Sequence, residues 1–139
     1  MKKINNTVKH DPENGIYGDC HRVCFAMILG LEAEEVPHFW RDGDAGAERG
    51  RKEIKEFLTA LGLGKIEIAF DGSDLDNLLM TMAHNGTDVP YILGGTSRIG
   101  VGHSVVCLND KIFHDPTGNG IVGPMEDGFY WITVFSKLA

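Results

Sequence analysis

The side chains with the chemistry for covalent or metal-assisted catalysis are three cysteines and six histidines. An odd cysteine count leaves at least one thiol outside any pairing, so Cys20, Cys24 and Cys107 argue against a disulfide framework. Cys20 is set apart by its position. It follows Gly18 and Asp19, the latter an N-cap type of residue, and opens the run Cys20-His21-Arg22-Val23-Cys24-Phe25-Ala26-Met27-Ile28-Leu29, with Gly30 as a stop. A thiol in the first turn of a helix lies against unpaired N–H groups and the positive end of the macrodipole. Both favour the thiolate, which is the nucleophilic form, so a lowered thiol pKa is expected. Gly18 is expected to let a substrate backbone approach. The competing reading is a small buried apolar side chain.

A thiol nucleophile requires a base. His103, in Val101-Gly102-His103-Ser104-Val105-Val106, would be held rigidly at the mouth of a strand and left uncrowded by the glycine. His114 is its rival. His21 adjoins Cys20 on the helix and so projects from a different face. His10, His38 and His84 lie in turn-like or surface contexts. Asp115, in Phe113-His114-Asp115-Pro116, is the candidate to orient the imidazole and stabilise the imidazolium; the alternative is that Asp-Pro simply starts a turn. Strand register separates these readings. A two-residue turn at Asn109-Asp110 pairs Val105 with His114 and turns Asp115 away from His103. An odd-length loop or a β-bulge pairs Val105 with Asp115, diagonal to His103 on one face. Oxyanion donors are expected from the backbone N–H of Cys20 and from the amide of Asn14, although Asn14-Gly15 is also a turn dipeptide. Cys20 and Cys24 share a helix face and with a histidine could bind a metal, but no C-x-x-C occurs, so no metal site and no cofactor are expected. No P-loop, dinucleotide fingerprint or Gly-x-Ser-x-Gly elbow is present.

The elements that must position these residues follow from pattern. Val23, Ala26, Met27 and Gly30 form a core-facing stripe on the first helix. Glu32 to Pro37 reads as a short helical turn, Asp42 to Gly46 as a loop, and Ala47 onward as a helix burying Ile54, Phe57, Leu58 and Leu61. Lys65 to Phe70 alternates as a strand. A third helix is expected from Ser73, with Asp76 completing an acidic capping box, to about Ala83. Tyr91 to Leu93, Val101 to Leu108, Lys111 to His114 and Phe129 to Phe135 read as strands, and Gly94 to Gly102 as a flexible loop placed to act as a lid. Phe129 to Trp131 reads as core. Helices early and antiparallel strands late indicate an α+β fold, with N-terminal helices packed on a C-terminal antiparallel β-sheet.

A length of 139 residues fits one domain, 1–139, with a core that needs no metal or disulfide. The net charge is −7 and no Lys/Arg stripe exists, which excludes a phosphate-binding surface and hence nucleic acid as partner. No apolar run approaches the ~20 residues of a membrane span, and Met1-Lys2-Lys3 is followed by no apolar stretch, so neither membrane insertion nor a signal peptide is expected and the cytoplasm is the default compartment.

Taken together, Gly18-Asp19-Cys20 opening a helix, Gly102-His103-Ser104-Val105-Val106, and His114-Asp115-Pro116 resemble the papain-like cysteine peptidase superfamily. The likeness is to its small bacterial and phage branch, related to bacteriocin-leader peptidases, including short proteins with a segment like Val36-Pro37-His38-Phe39. The resemblance spans about Asn14 to Gly120 in the order Cys, His, Asp. It implies a papain-like fold and a thiol hydrolase or acyltransferase acting on an amide or isopeptide bond of a peptide, protein or small amide. It further implies a triad of Cys20, His103 and Asp115. Asn14 loosely matches a family Gln or Asn that precedes the cysteine. The chain has no room for papain's second lobe. The superfamily also holds inactive relatives, so the alternative is a papain-fold binding protein that sequesters a host protein or small molecule through an exposed apolar patch at Phe39-Trp40 or Phe129-Tyr130-Trp131.

Overall fold

Periodicity and packing assemble one sheet with helices on both faces. The computed structural model describes residues 1–139. Its elements are α1 (Cys20–Leu29), α2 (Ala47–Ala60), β1 (Leu63–Asp71), α3 (Leu75–Asn85), β2 (Tyr91–Thr96), β3 (Gly102–Leu108), β4 (Lys111–His114) and β5 (Phe129–Lys137), with short 3-10 turns at Pro12–Asn14, Ala33–Glu35 and Gly43–Gly46. The five strands run β1-β5-β2-β3-β4, every pair antiparallel. The fold is α+β, with helices packed on an antiparallel sheet. No helix is long and apolar enough to cross a membrane.

Alternation along the strands sorts side chains between two cores. Ile92, Val106 and Phe135 meet Cys24, Phe25, Met27, Phe39, Ile54 and Leu58, so α1 and α2 cover one face. Leu93, Val105, Cys107, Tyr130 and Ile132 meet Leu78 and Met82, so α3 covers the other. The sheet is therefore enclosed from both sides, and the helices are not gathered on one.

Several sequence expectations are corrected. Gly94 to Thr96 belongs to β2, because Gly94 pairs with both Ser104 and Trp131; the connecting loop is only 97–101. α3 is capped by Asp74, whose carboxylate accepts from the Asn77 N–H, and not by Ser73. Asp19 precedes α1 without a side-chain cap bond. The capping box forms instead at the 3-10 turn, between Glu32 and Glu35. Phe39 is buried in the helical core, whereas Phe129 and Trp131 are 43% and 37% exposed and only Tyr130 between them is core.

Candidate active site

The β3–β4 hairpin decides where Asp115 goes. Asn109, at φ 55°, helps form the two-residue turn that pairs Leu108 with Lys111 and Cys107 with Ile112. A β-bulge then shifts the register so that Val106 pairs with His114. Phe113 is the extra residue. Continued by one step, this register sets Asp115 opposite Val105 and diagonal to His103, on the same face. The bulge supplies what a plain two-residue turn would forbid.

His103 Nε2 donates to Asp115 Oδ1 at 2.7 Å. The pair is well shielded, with side-chain exposures of 4% and 15%. Asp115 also accepts the N–H groups of Thr117 (3.0 Å) and Gly118 (3.1 Å) on Oδ1 and of Gly120 (2.7 Å) on Oδ2. Burial pushes this carboxyl up, but the His103 hydrogen bond and the backbone donors outweigh it and hold its pKa below the ordinary value. Thr117 Oγ1 reaches both partners, at 3.2 Å from His103 Nε2 and 3.3 Å from Asp115 Oδ1. With Nε2 committed to the carboxylate, Nδ1 is the nitrogen left for a proton transfer.

Cys20 stands at the N-terminal tip of α1, half-buried, and α1 packs on β3. Its sulfur faces the backbone N–H of Ser104, the residue after His103, and that of His21. The helix and the strand thus bring the thiol to the backbone of the residue after the histidine, while strand alternation puts the Ser104 side chain on the α1 face and that of His103 on the other, and no hydrogen bond joins Sγ to the imidazole in this structure. The expected lowering of the thiol pKa is not met. Burial raises it, the N–H groups of Ser104 and His21 offset only part, and the negative charges of Asp19 and Asp115 raise it further.

His21 turns away from the sulfur, to Ser104 Oγ at 3.1 Å, and packs on Phe25 at a centroid distance of 5.0 Å. Burial and the nearby Lys65 bring its pKa down to about 4, so it is neutral. His114 bonds Asn5 Oδ1 at 2.8 Å and takes no part in the dyad. Cys24 and Cys107 are buried free thiols within the cores, and no group of Cys, His, Asp and Glu is arranged to hold a metal ion.

Asn14 is not brought to the site. It is exposed in the Pro12–Asn14 turn, its amide given to Asp11 Oδ2 at 2.7 Å. A different amide lies beside Gly18, two residues before Cys20. The N-terminal segment is tied down by the Asn6 N–H to Pro116 O (3.0 Å) and by Thr7 and Val8 N–H to Asp19 Oδ1 (2.9 and 3.0 Å). This sets Asn6 Nδ2 3.1 Å from where a Cβ on Gly18 would lie. The bareness of Gly18 therefore admits Asn6 where a substrate backbone was expected. Asn6 Oδ1 is buried without a hydrogen-bond partner. Thr117 was detectable in sequence as the i+2 residue of an Asp-initiated turn; nothing in the sequence pattern marks Asn6.

Comparison with protein-family models, with curated proteins and with solved structures found no match.

Proposed function

We propose that the chain is a papain-like thiol hydrolase or acyltransferase that acts on an amide or isopeptide bond of a peptide, protein or small amide. The observation that carries this reading is the shielded His103–Asp115 pair, 2.7 Å apart, with Cys20 against the next residue of the same strand. A carboxylate that accepts from the imidazole, the Thr117 hydroxyl and three backbone N–H groups, and whose pKa is held below the ordinary value, is suited to orienting and stabilising an imidazolium.

In this mechanism His103 Nδ1 removes the Cys20 proton as the sulfur attacks the carbonyl carbon. The tetrahedral oxyanion is met by the backbone N–H of Cys20, an unpaired donor of the first helical turn, and by the Asn6 amide. The C–N bond then breaks, the amine leaves with the proton held by His103, and a thioester remains. Water, or another nucleophile in an acyltransferase, takes the acyl group and restores the thiol. Burial that raises the thiol pKa favours a proton transfer that accompanies attack.

The test is amine release from a pool of fluorogenic peptide amides by wild type and single variants. Cys20→Ala is expected to abolish release, and His103→Ala to lower it by about 100-fold or more. Full turnover by Cys20→Ala contradicts the reading. The raised thiol pKa and the missing sulfur–imidazole hydrogen bond favour a second reading, a papain-fold binding protein without turnover. In that case no variant of the three residues changes any rate, because there is none.

A further inference from the structure

The register of the sheet lays a row of residues beside Cys20. Ser104 pairs with Gly94, Gly94 with Trp131, and Trp131 with Ala69, so these four lie side by side on the face that carries α1. Cys20 meets the row at the Ser104 N–H. Next comes Gly94, where a Cβ would have only Trp131 atoms near it, at 3.6 and 3.7 Å, so the floor is open. Two strand spacings from Ser104, about 10 Å, stands the Trp131 indole. It is 37% exposed and edge-on to Phe129, itself 43% exposed, at 6.5 Å. α2 packs on β1, and Phe57 and Leu63 join its core, but α2 does not shelter this end of the sheet, where Ala69 and Asp71 are exposed.

The charges around the shelf have one sign to spare. Asp127 fixes the indole by accepting from Trp131 Nε1 at 2.8 Å and also accepts the Phe129 N–H at 3.0 Å. Asp71 lies across from Phe129 and accepts the Ser73 N–H at 2.8 Å. Both are bound only by neutral donors and neither has a cationic partner, whereas Lys65 and Glu67 on the same face satisfy each other. An exposed indole with its orientation locked, flanked by two uncompensated carboxylates, attracts a cation through the ring face and through charge.

We propose that the Gly94–Trp131 shelf is the substrate subsite and that it takes a cationic side chain, lysyl or arginyl, within about two residues of the bond that Cys20 attacks. This rests on the thiol-enzyme reading and gives it a substrate class, a basic peptide. The distance fits, since an extended residue spans about 3.5 Å and the long side chain adds the remainder.

The probes are lysyl and norleucyl chloromethyl ketones, which differ only by the terminal ammonium. Each alkylates Cys20 with loss of chloride, and the adduct is followed by mass spectrometry. Wild type is expected to react about tenfold faster with the lysyl probe. Trp131→Ala should remove that preference by slowing the lysyl reaction alone, and Trp131→Phe should keep most of it. Should Trp131→Ala fold poorly, the exposed pair Asp71→Asn with Asp127→Asn should still reduce the preference, and added salt should weaken it in wild type. Equal rates for the two probes in wild type, or a loss in Trp131→Ala shared by both, would overturn the assignment. If His103→Ala slows the norleucyl probe but no lysyl preference exists, the thiol enzyme stands and the subsite falls. If neither probe labels Cys20 in a His103-dependent way, both fall.

Discussion

His103 and Asp115 meet at 2.7 Å only because the β3–β4 hairpin contains one residue more than a regular ladder allows. Phe113 occupies the bulge, and inserting one alanine between His114 and Asp115 moves the carboxylate one step along the ladder and so to the opposite face. The insertion is expected to separate the imidazole from the carboxylate, seen in the NMR spectrum as loss of the slowly exchanging Nε2–H of His103. A spectrum that keeps this proton would show that the ladder register does not position the pair.

Asp115 holds the 115–120 turn together as well as the imidazole. Asp115→Ala leaves the N–H groups of Thr117, Gly118 and Gly120 without their acceptor. A loss of about 2–4 kcal/mol in unfolding free energy is expected from denaturant titration. Its depressed folded pKa adds a pH dependence: the stabilisation is complete above the ordinary carboxyl range and fades as pH falls through the folded value. Asp115→Asn should flatten the acid limb. An unchanged limb would mean that this carboxylate is not the source.

His21 gives a second, separable acid sensitivity. Its folded pKa of about 4 lies below the ordinary 6.5, so the unfolded chain binds the extra proton first. Stability from this group is full above about pH 6.5 and declines towards pH 4, by on the order of 3 kcal/mol in all. His21→Phe should remove the slope between those values, while leaving the Asp115 contribution at lower pH. A slope that survives the substitution assigns it elsewhere.

Gly95 is the close approach on which the site's outer loop depends. A Cβ there would lie 2.7 Å from Ile121 Cγ2 and 2.8 Å from Gly123 O. Gly95 pairs directly with His103, so Gly95→Ala pushes the 121–123 segment off the strand beside the imidazole. A lower melting temperature and a lower turnover are expected together, with Gly94→Ala sparing the melting temperature. Equal melting temperatures for Gly95→Ala and wild type would show that the loop yields freely.

The places of Cys20, His103 and Asp115 were legible because each depends on local pattern: a helix start, a strand mouth and an Asp-Pro turn. The bulge was visible only as a condition the triad had to meet, since ladder register is set by cross-strand packing. The position of Asn14 differs from expectation for a similar reason. Asn14 is six residues from Cys20 in sequence but bonds Asp11, while Asn6 reaches Gly18 through a fold of the N-terminal segment that no periodicity announces. Phe129 and Trp131 alternate as core residues do, yet they extend past the helices that would have covered them. The thiol pKa went the other way because burial, with the charges of Asp19 and Asp115, outweighs the backbone N–H groups of Ser104 and His21, and tertiary structure supplies the burial and Asp115.

The central claim is that Cys20 attacks a carbonyl with His103 as its base, and formation of the acyl-enzyme tests it most directly. Wild type and His103→Ala are mixed with p-nitrophenyl acetate, and the acetyl thioester on Cys20 is quantified by rapid-quench mass spectrometry. The account predicts an adduct at Cys20 in wild type, formed about 100-fold or more faster than in His103→Ala. No adduct at Cys20, or equal rates in the two proteins, contradicts it.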